Sequence, residues 1–184
     1  MTQTDPAQIL RPLRRVRQVR EFTDAPVTQA ALDAIADVGR WSGSSQNGQP
    51  WRFIVVRDVG LVRRLGAMDM PSSHALSTAM GAIVIVLRAG DGRSDAFDEG
   101  RAAERMLIAA SELGLAGGLV WVSPAARAAV AGALGVPDGW VPTSALAVGH
   151  PTPAALVPKS PAGQARLPRS RTVSVDRWGH EQAR

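Results

Sequence analysis

WSGSSQNGQPWRFIVV, residues 41–56, joins two kinds of chemistry. Its first half gathers Gly43, Ser44, Ser45, Asn47, Gly48, Gln49 and Pro50, residues that favour turns and bury little. Its second half, Trp51 to Val56, is aromatic and β-branched and predicts a strand entering a core. A hydroxyl- and amide-rich loop held by a rigid strand offers neutral hydrogen-bonding groups at fixed positions, which is how many binding sites are built. The plainer alternative is an ordinary connection before an ordinary strand.

Working outward, 184 residues suit one domain (1–184), with 150–184 as an extended C-terminal arm. Hydrophobic residues make up 45% and charged residues 20%, a globular balance. No apolar run approaches the roughly 20 residues that span a bilayer. The opening MTQTDPAQILRPLRR has no apolar signal region, so no membrane partner and a cytoplasmic location are expected. Without cysteine there is neither a disulfide nor a thiolate nucleophile.

The net charge of +5 comes almost wholly from arginine, since Lys159 is the only lysine. The basic residues concentrate at Arg11–Arg20 and Arg166–Arg184. Guanidinium forks match phosphate oxygens, so the two clusters can grip one phosphate if the fold unites them. Basic patches also follow nucleic-acid backbones, the rival explanation. An aromatic content of 4% with no tyrosine leaves little surface for stacking bases.

In chain order, the periodicity predicts a helix over 6–16 with Ile9, Leu13 and Val16 on one stripe, then an extended 17–22. Thr28 caps a helix over about 29–41 with Leu32, Ile35 and Val38 inward. After the 51–56 strand, Asp58 caps a short helix to about Leu65. A loop over 68–74 and a helical 76–80 lead to a buried strand, 83–87. Ser94 opens a long helix, 95–113, apolar around most of its circumference, with Gly114 ending it. Flexible Ala116–Gly118 precede a strand from Leu119, and Ser123-Pro124 starts a helix running to about Leu134. A fourth strand covers 144–149, and Val173 and Val175 suggest a last one over 171–175, with Trp178 docking behind it.

The usual catalytic constellations are missing. There is no GxGxxG or GxxxxGK[ST] pattern, and His74, His150 and His180 lack metal-ligand spacing. Asp98, Glu99 and Glu104 read as a surface face of the long helix rather than an acid/base pair. No catalytic side chain and no metal are assigned; a cofactor is expected to supply the reactivity.

Four motifs carry a resemblance over nearly the whole chain. Ser44-Ser45-Gln46-Asn47-Gly48-Gln49-Pro50-Trp51-Arg52-Phe53 resembles the SSxNxQPWxF motif of the nitroreductase family, FMN-dependent oxidoreductases. Arg17–Phe22 is similar to that family's RSxRxF opening, Leu107–Leu115 to its helix ending in AxxLGL, and Arg166-Leu167-Pro168 with Arg177-Trp178-Gly179 to its RxP…WG close. Val16, Gln18 and Gln164 depart from the pattern, standing where members often carry arginine, serine and lysine.

The resemblance implies an α+β, three-layer α/β/α fold: a mixed, mainly antiparallel sheet flanked by helices, in a homodimer with a domain-swapped C-terminal tail. It implies FMN at the subunit interface, its phosphate held by Arg17, Gln18, Arg20 and Arg166. Ser44, Ser45, Asn47 and Gln49 would line the cofactor from the other subunit, and Gly117 and Gly118 would bring backbone N–H groups to flavin N5. NAD(P)H as co-substrate would deliver hydride to N5 before an electron-poor acceptor, a nitroaromatic or quinone, enters the same site in ping-pong fashion. Other readings stay open: the same fold binding deazaflavin or modifying flavin, or a basic protein that binds nucleic acid or anions.

Overall fold

The continuous apolar run near residue 84 must be buried on both faces, and the architecture follows from that requirement. The computed structural model describes residues 5–90, 92–161 and 163–179. In it Gly81–Arg88 (β2) is buried at every position except Arg88. β2 pairs antiparallel with Trp51–Val56 (β1) on one side and Trp140–Gly149 (β4) on the other. Ala116–Trp121 (β3) completes the order β1-β2-β4-β3 by pairing antiparallel with β4.

Strand alternation divides β2 between two cores. Ala82, Val84 and Val86 meet Val62, Leu65 and Val130, which belong to Val59–Gly66 (a helix) and Arg127–Leu134 (another). Ile83, Ile85 and Leu87 meet Leu32, Ile35 and Met106, from Gln29–Arg40 and Gly92–Glu112. With Pro6–Ile9 and Arg11–Arg15 the helices become α1 (6–9), α2 (11–15), α3 (29–40), α4 (59–66), α5 (92–112) and α6 (127–134). The outcome is the expected three-layer α+β fold. The four strands pair antiparallel throughout, and an isolated parallel bridge joins Gln18 to Gly117.

Local chemistry sets the boundaries. Thr28 Oγ1 accepts from Ala31 N–H to start α3, and Asp58 accepts from Gly60 and Leu61 to start α4. Gly114, at φ 70°, and Gly135, at φ 65°, take the left-handed conformation that ends α5 and α6.

Several elements differ from the sequence reading. Helix 6–16 is two short helices, with Pro12 in the first turn of α2, and Ile9 and Leu13 are exposed. Val38 faces solvent, because Gly39 completes the inward stripe of α3 where Met106 comes close. Residues 76–80 form turns rather than a helix, and Ser94 lies inside α5, not at its cap. β3 begins at Ala116, so both glycines are strand residues, and β4 begins at Trp140. Ser123-Pro124 opens a turn, its Ser123 carbonyl accepting from Ala126 and Arg127, and α6 starts only at Arg127. α5 is not apolar all round: Arg101, Glu104 and Arg105 are exposed.

The C-terminal arm departs most. Residues 169–171 form a 3₁₀ turn and 172–175 join no ladder, so the expected last strand is not formed. Trp178 is 98% exposed rather than docked on its own chain. His180 lies outside the described residues. Among the described residues no helix is long and apolar enough to cross a membrane.

Truncating Ile83, fully buried in the α3/α5 core, should cost about 2–5 kcal/mol as Ile83→Ala. Val38→Ala should change stability by less than about 0.5 kcal/mol. Urea denaturation of both variants measures the contrast.

Candidate functional site

Residues 17–23 are extended because their apolar members have somewhere to go. Val19 and Phe22 are buried in the α4/α6 core, while Arg17 and Gln18 stay exposed. Val19 N–H donates to the Gly117 carbonyl at 2.8 Å. Phe22 bridges Pro151, Thr23 N–H donates to the His150 carbonyl at 2.8 Å, and Thr152 N–H donates to the Glu21 carbonyl at 3.2 Å. Arg17 Nη1 also donates to the Leu156 carbonyl at 3.0 Å. The beginning of the chain is thereby stitched to the start of its C-terminal arm.

The approach is close enough to require glycine. A Cβ on Gly118 would sit 2.2 Å from the Val19 carbonyl oxygen, and one on Gly149 would sit 2.8 Å from Phe22 Cβ. Gly117 is wedged against Leu107 and Leu146 side chains. Both Gly117 and Gly118 therefore serve strand packing, with the Gly117 carbonyl taken up by Val19.

This stitching encloses a cavity of about 710 Å³ between the two ends of the chain. It brings together four sequence-predicted residues, Arg17, Gln18, Arg20 and Arg166. Arg20 Nη2 donates to Gln18 Oε1 at 3.2 Å, while Arg20 Nε is buried with no hydrogen-bond partner. An orphaned guanidinium N–H is costly unless an acceptor completes it. Arg14, His74 and Lys159 also line the cavity, against the acids Glu21 and Glu104. The basic groups outnumber the acidic ones, and the volume lies within the range of small-molecule pockets. A phosphate-bearing cofactor such as FMN fits this donor set, in which cationic groups predominate.

Arg14, His74 and Lys159 were not singled out from sequence. Lys159 carried a signal, as the chain's only lysine five positions before Gln164, where a cation was missing. His74 comes from a loop whose path sequence did not define.

Ser44, Ser45, Asn47 and Gln49 do not line this cavity. They form a compact loop in which Gln46, Asn47 and Gln49 hold φ values of 50°, 54° and 44°. Ser44 Oγ accepts from Gln49 N–H at 2.9 Å, and Gln49 Nε2 donates to Asn47 Oδ1 at 3.3 Å. Gln49 instead lines a cleft of about 420 Å³ between α3 and β1.

Two acids reverse their expected role. Asp98 and Glu99, read as a surface face, are 2% and 5% exposed. Asp98 Oδ2 accepts from Ser45 N–H at 2.7 Å, and Glu99 Oε1 accepts from the hydroxyls of Thr143 and Ser144. Those partners lie 44 to 53 residues away in sequence, so the local pattern could not reveal them. Glu104 is exposed as expected, although it edges the cavity.

The family model described as the nitroreductase family matches residues 13–75 and 67–150. The chain belongs to the nitroreductase family. A candidate NADH dehydrogenase/NAD(P)H nitroreductase of Archaeoglobus fulgidus is 28% identical over 146 residues, covering 73% of this chain and 80% of that protein. A nitroreductase of Desulfovibrio desulfuricans solved in complex with FMN is 26% identical, with a TM-score of 0.69 over 90% of this chain and 98% of that one. A Bacteroides thetaiotaomicron structure of 20% identity, TM-score 0.77 over 93% of this chain and 98% of that one, shares the fold. Nitroreductase membership places the chain among oxidoreductases.

In this chain the glycine at 118 should be irreplaceable. Gly118→Ala should lift residues 17–20 off β3, destabilise the protein by about 1–3 kcal/mol and open the basic cavity. Thermal unfolding, with hydrogen exchange at Val19, reads both effects.

Proposed function

We propose that this chain is an FMN-dependent oxidoreductase that carries reducing equivalents from NAD(P)H to an electron-poor acceptor such as a nitroaromatic or quinone. Donor and acceptor take turns at one site, a ping-pong scheme. The observation that carries the reading is the cavity in which Arg17, Arg20, Lys159 and Arg166 converge from both ends of the chain.

Arg17, Arg20 and Arg166 would hold the cofactor phosphate, with Gln18 orienting Arg20 through its Oε1. Lys159 supplies the positive charge missing at Gln164. FMN, when bound, supplies the redox chemistry. The chain's own residues bind, orient and screen it from water, consistent with a site where no side chain is assigned as nucleophile.

The reading includes a homodimer. Ser44, Ser45, Asn47 and Gln49 would reach the partner's cofactor, which accounts for their distance from the cavity of their own chain. The arm beyond residue 160 would find its strand partner and a seat for Trp178 on the second copy. The solvent-facing Ile9, Leu13, Phe97 and Leu113 are apolar surface that such a dimer would cover.

Purified protein should be yellow and lose its visible flavin bands on addition of NADPH or NADH. Arg20→Gln combined with Arg166→Gln should weaken FMN binding at least tenfold with the far-ultraviolet circular dichroism unchanged. A colourless protein that takes up no FMN, but binds DNA with steep salt dependence, would overturn the proposal.

A further inference from the structure

One face of α5 is occupied neither by the sheet nor by the basic cavity. It carries Asp98, Arg101 and Arg105, and each meets the segment ahead of β1. Asp98 Oδ2 accepts from Ser45 N–H at 2.7 Å. The Arg101 guanidinium lies over Gly43, where a Cβ would be 2.6 Å from its Nη2. Arg105 Nη1 donates to the Trp41 carbonyl at 2.7 Å.

The partners step backwards by two, from 45 to 43 to 41, as the helix advances by three and then four. Residues 41–45, from the C-cap of α3 at Trp41 to the 3₁₀ turn that opens at Ser45, therefore run antiparallel along the helix face. Asp98 is the buried end of this clamp, with Arg101 Nη1 3.5 Å from its other oxygen.

Immediately after the clamp comes the strained part of the loop. Gln46, Asn47 and Gln49 all occupy the left-handed region without being glycine, and such a shape persists only when its surroundings over-determine it. The loop's internal bonds run between Ser44, Asn47 and Gln49. The tie from Ser45 N–H to the helix is the contact that anchors this bonded unit to the body of the protein at its first turn.

We infer that Asp98 is a positioning residue: through Ser45 N–H it fixes the Ser44–Gln49 loop in the shape that presents its neutral donors, with Arg101 and Arg105 fixing the chain that leads into it. The inference rests on the flavin reading, in which that loop lines the cofactor. It adds a determinant of cofactor binding that touches no cofactor itself.

The test compares full-length wild type with Asp98→Ala, Asp98→Asn and Arg105→Met. Amide exchange over residues 42–49 is measured in the flavin-free proteins, and FMN affinity and the visible spectrum of bound FMN in the loaded ones. Asp98→Ala should speed exchange over 42–49 at least tenfold, weaken FMN binding at least tenfold and shift the flavin bands. Asp98→Asn keeps an acceptor oxygen and should stay within threefold of wild type in both. Arg105→Met, at an exposed position, should speed exchange at 42–45 and weaken FMN binding threefold or more, and it decides the matter if Asp98→Ala does not fold. Wild-type exchange in these variants, or a loosened loop with unchanged FMN affinity and spectrum, overturns the inference alone. A wild-type chain that takes up no FMN overturns the flavin reading and the positioning role together.

Discussion

The near-contact of the 17–23 segment with the glycine positions of β3 and β4 is the constraint that organises the molecule. Val19 and Phe22 are drawn into the core, and the Val19 carbonyl and the Phe22 side chain come so near the sheet that only a hydrogen fits at Gly118 and Gly149. Hydrophobic burial supplies the drive. The consequence is electrostatic: Arg17 and Arg20 are carried to the place where Lys159 and Arg166 arrive from the far end of the sequence. Like charges gathered in one cleft repel, so the apolar contacts beneath them must hold the cluster together until an anion neutralises it. Site and core are therefore opposite sides of the same short strip.

Asp98 and Glu99 illustrate a second form of coupling. Neighbours on a helix point about 100° apart, so one carboxylate faces the loop before β1 and the other faces β4. Asp98 holds Ser45, Glu99 holds Thr143 and Ser144, and the N-terminal half of α5 joins a polar loop to the sheet. Each buried acid has its hydrogen-bond donors, the condition under which burying a carboxylate is tolerated.

How much could be read in advance depends on the range of the forces involved. Thr28, Asp58, Gly114 and Gly135 act on residues within a turn of themselves, and the boundaries they mark were legible. The runs at 51–56 and 83–87 were legible too, because aromatic and β-branched residues at that density have few uses other than a strand. Arg17, Gln18, Arg20 and Arg166, from opposite ends of the chain, line one cavity. Sequence failed where a residue answers to something remote. Nothing near Asp98 or Glu99 announces donors more than forty residues away, and Gly117 and Gly118 looked like flexible spacers until Val19 and Leu107 were seen against them. Leu76–Met80 has helical composition yet follows a chain that Ser72 has already turned left-handed, at φ 65°. Val173 and Val175 alternate as a strand should, but a strand needs an edge, and their own chain gives them none.

Because β2 gives alternate side chains to opposite helical layers, neither layer can melt without stripping half of a shared ribbon. The two faces are thermodynamically a single cooperative unit. The amides of Ile83 to Val86 should then be the last to open, exchanging with solvent only through global unfolding.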